Sequence, residues 1–208
     1  MACLASCTNL VAAPTRFARP RGSVKSADVA RWSAIATLET PTVCAGATAS
    51  YVLRRIAFCA GAFAPGIDEA IFAELHTSDN GRTIDDVARW LAARTNALSA
   101  LGYRLQYRRV VSPTPKLLAW VNAGRGYRGA VLPTSYCALH AVSRELGDAV
   151  QHAVGIAIEN EPSRDRELIA IDPWPRKGEH TRALPAELES AHRERHYEAL
   201  ALHWVGWA

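Results

Sequence analysis

No apolar run in the chain approaches the roughly 20 residues a membrane-spanning helix requires, so no membrane span is expected. Its basic residues form no long run either. Arg54-Arg55, Arg108-Arg109 and Arg193-Glu194-Arg195 are short, and a net charge of only +4 is spread among acids. A nucleic-acid surface calls for a basic stripe with interleaved aromatics, so nucleic acid is not an expected partner. Cysteine is sparse and without framework spacing: five residues, at positions 2, 7, 44, 59 and 137, are an odd number. That favours thiols in a reducing compartment over a disulfide scaffold. The expected location is therefore cytoplasmic, or outside by an export route not visible in the sequence. Cys137 and His140 have ligand spacing, but a structural zinc needs about four ligands and no second pair accompanies them. No metal is expected, and nothing calls for a cofactor. There is no internal repeat and no ATP-binding segment.

Acids are missing altogether from residues 1–27, which carry Arg16, Arg19, Arg21 and Lys25. Serine, proline and arginine there leave little to bury, so a flexible leader is expected, its apolar stretch too broken for a secretory signal. Residues 28–208 then form one domain. An apolar content of 49% and six tryptophans argue for a packed interior.

Apolar residues at Tyr51, Val52, Ile56 and Cys59 recur near helical spacing and predict a helix over 45–60, ended by Gly61 and Pro65. A second helical segment is expected over 67–75, and His76–Gly81 reads as a polar loop. Thr83 before Asp85 and Asp86 is a helix start, and Gly102 stops that helix. Tyr103–Val110 alternates with period two and reads as a strand. Pro113 and Pro115 introduce a short helix, 116–123, and 130–133 is a buried strand. Residues 135–148 read as an excursion with a short helix. Strands follow at 152–158, 168–172 and 199–205. With helices first and an antiparallel sheet after them, the class is α+β.

Three side chains stand where nucleophilic chemistry would put them. Cys44 opens the first helix, where the positive end of the helix dipole favours a thiolate. His152 begins one strand and Asp172 ends the next, with a polar turn between. A thiol, an imidazole and a carboxylate in that order form a Cys-His-Asp site, the aspartate holding one ring nitrogen while the other serves the thiol. The plainer alternatives are a buried apolar Cys44, a core His152 and a strand-ending Asp172 before Pro173. Cys59 and Cys137 are weaker nucleophile positions. His140, His180, His192, His196 and His203 read as surface or loop residues, and Trp90, Trp120 and Trp207 as core.

Over roughly 35–175 the chain resembles the papain-like cysteine peptidases of the bacteriocin-processing (C39-like) type. The resemblance is carried by Cys44 with its helix and by Gly81-Arg82-Thr83-Ile84-Asp85-Asp86-Val87-Ala88. Pro115–Gly124 leading into Ala130-Val131-Leu132 follows, then His152-Ala153-Val154-Gly155-Ile156 and Ile171-Asp172-Pro173-Trp174. It implies a papain-like fold, N-terminal helices packed on an antiparallel sheet, and a peptide or protein substrate. Cys44 would be the nucleophile, His152 the general base and Asp172 the residue orienting it. Two departures stand out. Ala45, with Gly46 next, takes the place of the family's glycine, and Leu38 stands where the family carries an oxyanion-donating glutamine; no Gln precedes Cys44. Thr40, Thr42 or Glu39 would be the substitute, with the Cys44 backbone N–H, and Trp174 is a cleft-wall candidate. The same triad also suits an acyltransferase of transglutaminase-like type, and the same fold suits a non-catalytic peptide-binding domain.

Overall fold

A computed structural model describes residues 44–60, 73–100, 104–135, 151–159, 167–172, 181–182 and 185–206. In chain order these form α1 (Cys44–Ala60), a 3-10 turn (Glu74–His76), α2 (Ser78–Gly81), α3 (Ile84–Ala100), β1 (Arg104–Val111) and α4 (Thr114–Ala123). There follow β2 (Arg128–Ser135), β3 (Gln151–Glu159), β4 (Glu167–Asp172), β5 (Thr181–Arg182), α5 (Pro185–Arg193) and β6 (Glu198–Gly206). The six strands make one sheet in the order β1-β6-β2-β3-β4-β5, antiparallel throughout. The class is α+β.

Strand alternation divides the core in two. On one face Val131, Ala153, Leu200, Leu202 and Trp204 meet α1 through Val52, Leu53 and Ile56, and α3 through Val87, Trp90 and Leu91. On the other, Ala130, Leu132, Val154, Ile156 and Ile158 meet Leu117 and Val121 of α4 and Leu188 and Ala191 of α5. The expectation of helices gathered before the sheet therefore needs correcting, because α4 and α5 cover its second face. β2 and β3 read as near-continuous apolar runs for the same reason.

The helix that carries Cys44 lies unusually close to its surroundings. A methyl group at Gly155 of β3 would come within 2.8 Å of the Thr48 Cγ2 and 2.9 Å of the Val52 Cγ2. At its N-terminal end, a Cβ on Gly46 would overlap the Leu75 carbonyl and the Cα of Gly81. Backbone on both sides cannot yield, so the start of α1 is locked against the 74–81 segment. Residues 76–81, expected as a loop, instead include the single turn α2. That segment is docked in turn. Asn80 Nδ2 donates to the Glu74 carbonyl (3.1 Å), and the Glu74 carboxylate accepts from the Trp90 indole (2.8 Å) and the Arg94 guanidinium (2.9 Å). The Trp90 hydrogen bond, opposed by some desolvation and aided by Arg94, holds the Glu74 carboxyl below its ordinary value. Gly46→Ala is expected to cost about 3 kcal/mol, the upper end for overpacking, and a urea titration measures it directly.

Where α3 begins, Thr83 and Asp86 form a reciprocal capping box. Thr83 N–H and Oγ1–H both donate to Asp86 (2.8 Å each), and Asp86 N–H donates back to Thr83 Oγ1 (3.2 Å). Two assignments from the sequence change. His192 is fully buried rather than at the surface. Trp120 is only half-buried and carries the Arg128 guanidinium 5.0 Å from its ring centre. The segments 1–43, 61–72 and 136–150, with the leader, most of the 67–75 helix and the 135–148 excursion, lie outside the described residues, as does Trp207.

Candidate active site

At the end of the sheet where β2 finishes and β3 and β6 begin, a cavity of about 320 Å³ opens. Its floor comprises Cys44, Ala45, Pro133, His152 and Ala153. One wall is the α2–α3 junction, Arg82–Asp85, and the other is the α5–β6 turn, with Glu194, Arg195, His196 and Glu198. Cys44 is the first residue of α1, whose first turn contains no acid. His152 is the second residue of β3. Their exposures are 4% and 3%.

Two contacts fix α1, which carries Cys44, against β3, which carries His152. Thr48, one turn after Cys44, donates its hydroxyl to the Ala153 carbonyl (3.2 Å), the residue after His152. Gly155, two residues further along β3, leaves room for α1 to lie against the strand. Alternation assigns His152 and Ala153 to opposite faces of the sheet. Both nevertheless line the cavity, at the end of the sheet where β3 starts.

Across from His152 on β2 stands Thr134, its hydroxyl wholly buried and without a hydrogen-bond partner among the described residues. Asp172 ends β4; Ile171 before it pairs with Gly155, and Asp172 pairs with Thr181. Continued by one residue, that register sets the Asp172 backbone beside Val154, two positions from His152. Thr40, Thr42 and Trp174 lie outside the described residues, as do Cys137, His140 and His180. Cys59 is on α1 but does not line the cavity.

Two of the cavity's three carboxylates share one guanidinium. Arg109 bridges Asp85 (2.9 Å) and Glu198 (3.2 Å), tying the two walls together. Beneath the second wall the His192 ring is clamped. Its Nε2 donates to the Glu198 carbonyl (2.7 Å) and its Nδ1 takes a hydrogen bond from the Thr114 hydroxyl (2.9 Å). Burial lowers the His192 pKa, against weaker opposing pulls from Glu198 and Glu189. Burial likewise lowers His76 and His203, helped by Arg54 and Arg128 respectively.

Below the ordinary value near 6.5 the unfolded chain takes up protons that the folded chain refuses, so stability falls as pH drops. We expect a lower urea midpoint at pH 5.5 than at pH 7.5, and a smaller drop in His192→Gln, which keeps a donor and an acceptor but cannot titrate.

The walls of this cavity are not legible in the sequence. There Arg82 and Asp85 show only as part of a helix start, and Arg193-Glu194-Arg195 only as a short charged run. No helix of the described residues is long and apolar enough to cross a membrane. No family model matches the chain. No curated protein matches it either. Among solved structures, two variants of the Salmonella effector SpvD are similar to it. One has a TM-score of 0.41 at 8% identity, over 94% of this chain and 84% of that one. The other has a TM-score of 0.37 at 8% identity, over 91% and 83%. Likeness of that degree carries no argument about the site.

Proposed function

We propose that the chain is a cysteine peptidase of papain-like type that cleaves a peptide or amide bond through Cys44, His152 and Asp172. The observation carrying this reading is that Cys44 and His152, distant in sequence, line one cavity, with the thiol at a helix N-terminus. Cys44 Sγ, its proton taken by His152, adds to the substrate carbonyl carbon. The C–N bond then breaks and His152 hands the proton to the leaving amine. Water, deprotonated by His152, cleaves the thioester to give a carboxylic acid and restore the thiol. The Cys44 backbone N–H, with Thr40 or Thr42, would supply the oxyanion donors. Asp172 would orient the ring, and Trp174 would flank the cleft.

The test is mass spectrometry of new termini after incubation with a random-sequence peptide library. Wild type is expected to generate them and Cys44→Ala to generate none; a library left intact by wild type sinks the reading. The absence of any Gln before Cys44 favours a second reading, a peptide-binding domain of the same fold. On that reading Cys44→Ala binds peptide as wild type does, and no acyl-enzyme accumulates.

A further inference from the structure

We propose that the cavity receives an acidic peptide segment, its carboxylates held by Arg82 from one wall and Arg195 from the other. This rests on reading the cavity as a substrate cleft and names the substrate it takes. Asp85 and Glu198 share Arg109, and Glu194 has a partner of its own. Among the described residues, Arg82 and Arg195 enter no ion pair and no side-chain hydrogen bond, though both line the cavity. A guanidinium offers five donors in a planar fork that fits a carboxylate. A peptide laid across the opening would strip water from both guanidinium groups, so it must bring acceptors. Aspartate or glutamate side chains do this. A basic peptide would instead meet two guanidinium groups that have no acid of their own among the described residues.

Both arginines sit on backbone that cannot drift. Arg82 lies between Gly81, wedged against Gly46, and Thr83, the capping residue of α3. Arg195 is followed by His196 and Tyr197, two consecutive residues in the left-handed region at φ 55° and 57°. Non-glycine residues hold that conformation only where their surroundings impose it. Here the Tyr197 carbonyl accepts from Ser112 N–H (3.0 Å). Its hydroxyl accepts from Arg193 (2.9 Å) and donates to Glu189 (2.8 Å), and its ring meets His192 edge-on at 5.5 Å. The turn is thus shaped in advance, and a charge carried on it needs little further ordering to bind.

Fluorescence anisotropy on the Cys44→Ala protein tests this. The probes are a labelled dodecapeptide of Asp, Glu, Gly and Ser and its counterpart with Asn and Gln in place of the acids. The acidic peptide is expected to bind about tenfold tighter in dilute salt, a gap narrowing at high salt. Arg82→Glu with Arg195→Glu should erase the preference, and Arg82→Lys with Arg195→Lys should keep most of it. Arg104→Glu with Arg125→Glu changes the net charge equally, away from the cavity, and should leave it intact. Equal affinity for both peptides overturns the proposal, as does a preference that the distant pair abolishes as fully as the cavity pair. Cleavage by wild type without acidic preference would sink this inference and leave the peptidase reading standing. Acidic preference that depends on Arg82 and Arg195, in a protein that cleaves nothing, would do the reverse.

Discussion

Cys44→Ala and His152→Ala are each expected to slow peptide cleavage by about 10⁴-fold or more, and the double variant should be no slower than the worse single one. On the proposed mechanism the two groups act as a unit. Without the thiol no thioester forms, and the imidazole has no proton to move. Without the imidazole the thiol loses the base that activates it and the leaving amine loses its proton source. Rates come from single-turnover cleavage of a peptide identified in the library screen. Both side chains are nearly buried, so each variant also needs a denaturation midpoint. His152→Gln, closer in volume, separates lost chemistry from a lost fold. Two singles that each cost about tenfold, and a double that costs their product, would mean independent residues and no catalytic pair.

The elements legible in the sequence are those whose signals are local. The Tyr51, Val52 and Ile56 spacing sets α1 to within a residue at its start, and Thr83 with Asp86 marks the opening of α3 through its own capping bonds. The alternation of residues 103–110 matches β1 at Arg104–Val111. α5 escapes such a reading because Pro185–Arg193 is polar for most of its length, with Leu188 and Ala191 supplying its contacts to the core. With α5 unread, His192 looks like a surface residue, whereas it is the buried support of a cavity wall. The cavity itself depends on β6 inserting between β1 and β2, a pairing between distant segments that no local periodicity encodes. Cys44 and His152 could therefore be named from the chain, but the arginines around them could not.

On the proposed mechanism one acid orients His152. Asp85, Glu194 and Glu198 line the cavity, yet two of them are held by Arg109 and the third has a partner of its own. Asp172 comes from the strand beside β3, in a register that sets its backbone two positions from His152. On a sheet, diagonal neighbours of that kind lie about 7–8 Å apart. Asp172→Asn is therefore expected to lower cleavage by up to about 10⁴-fold, because an amide neither fixes the productive tautomer nor stabilises the imidazolium. Glu194→Gln, a cavity acid with no such placement, should cost less than about tenfold. The denaturation midpoint separates lost chemistry from a lost fold: in Asp172→Asn the rate should fall while the midpoint changes little. An unchanged rate in Asp172→Asn, with a large loss in Glu194→Gln, would transfer the orienting role to the cavity wall.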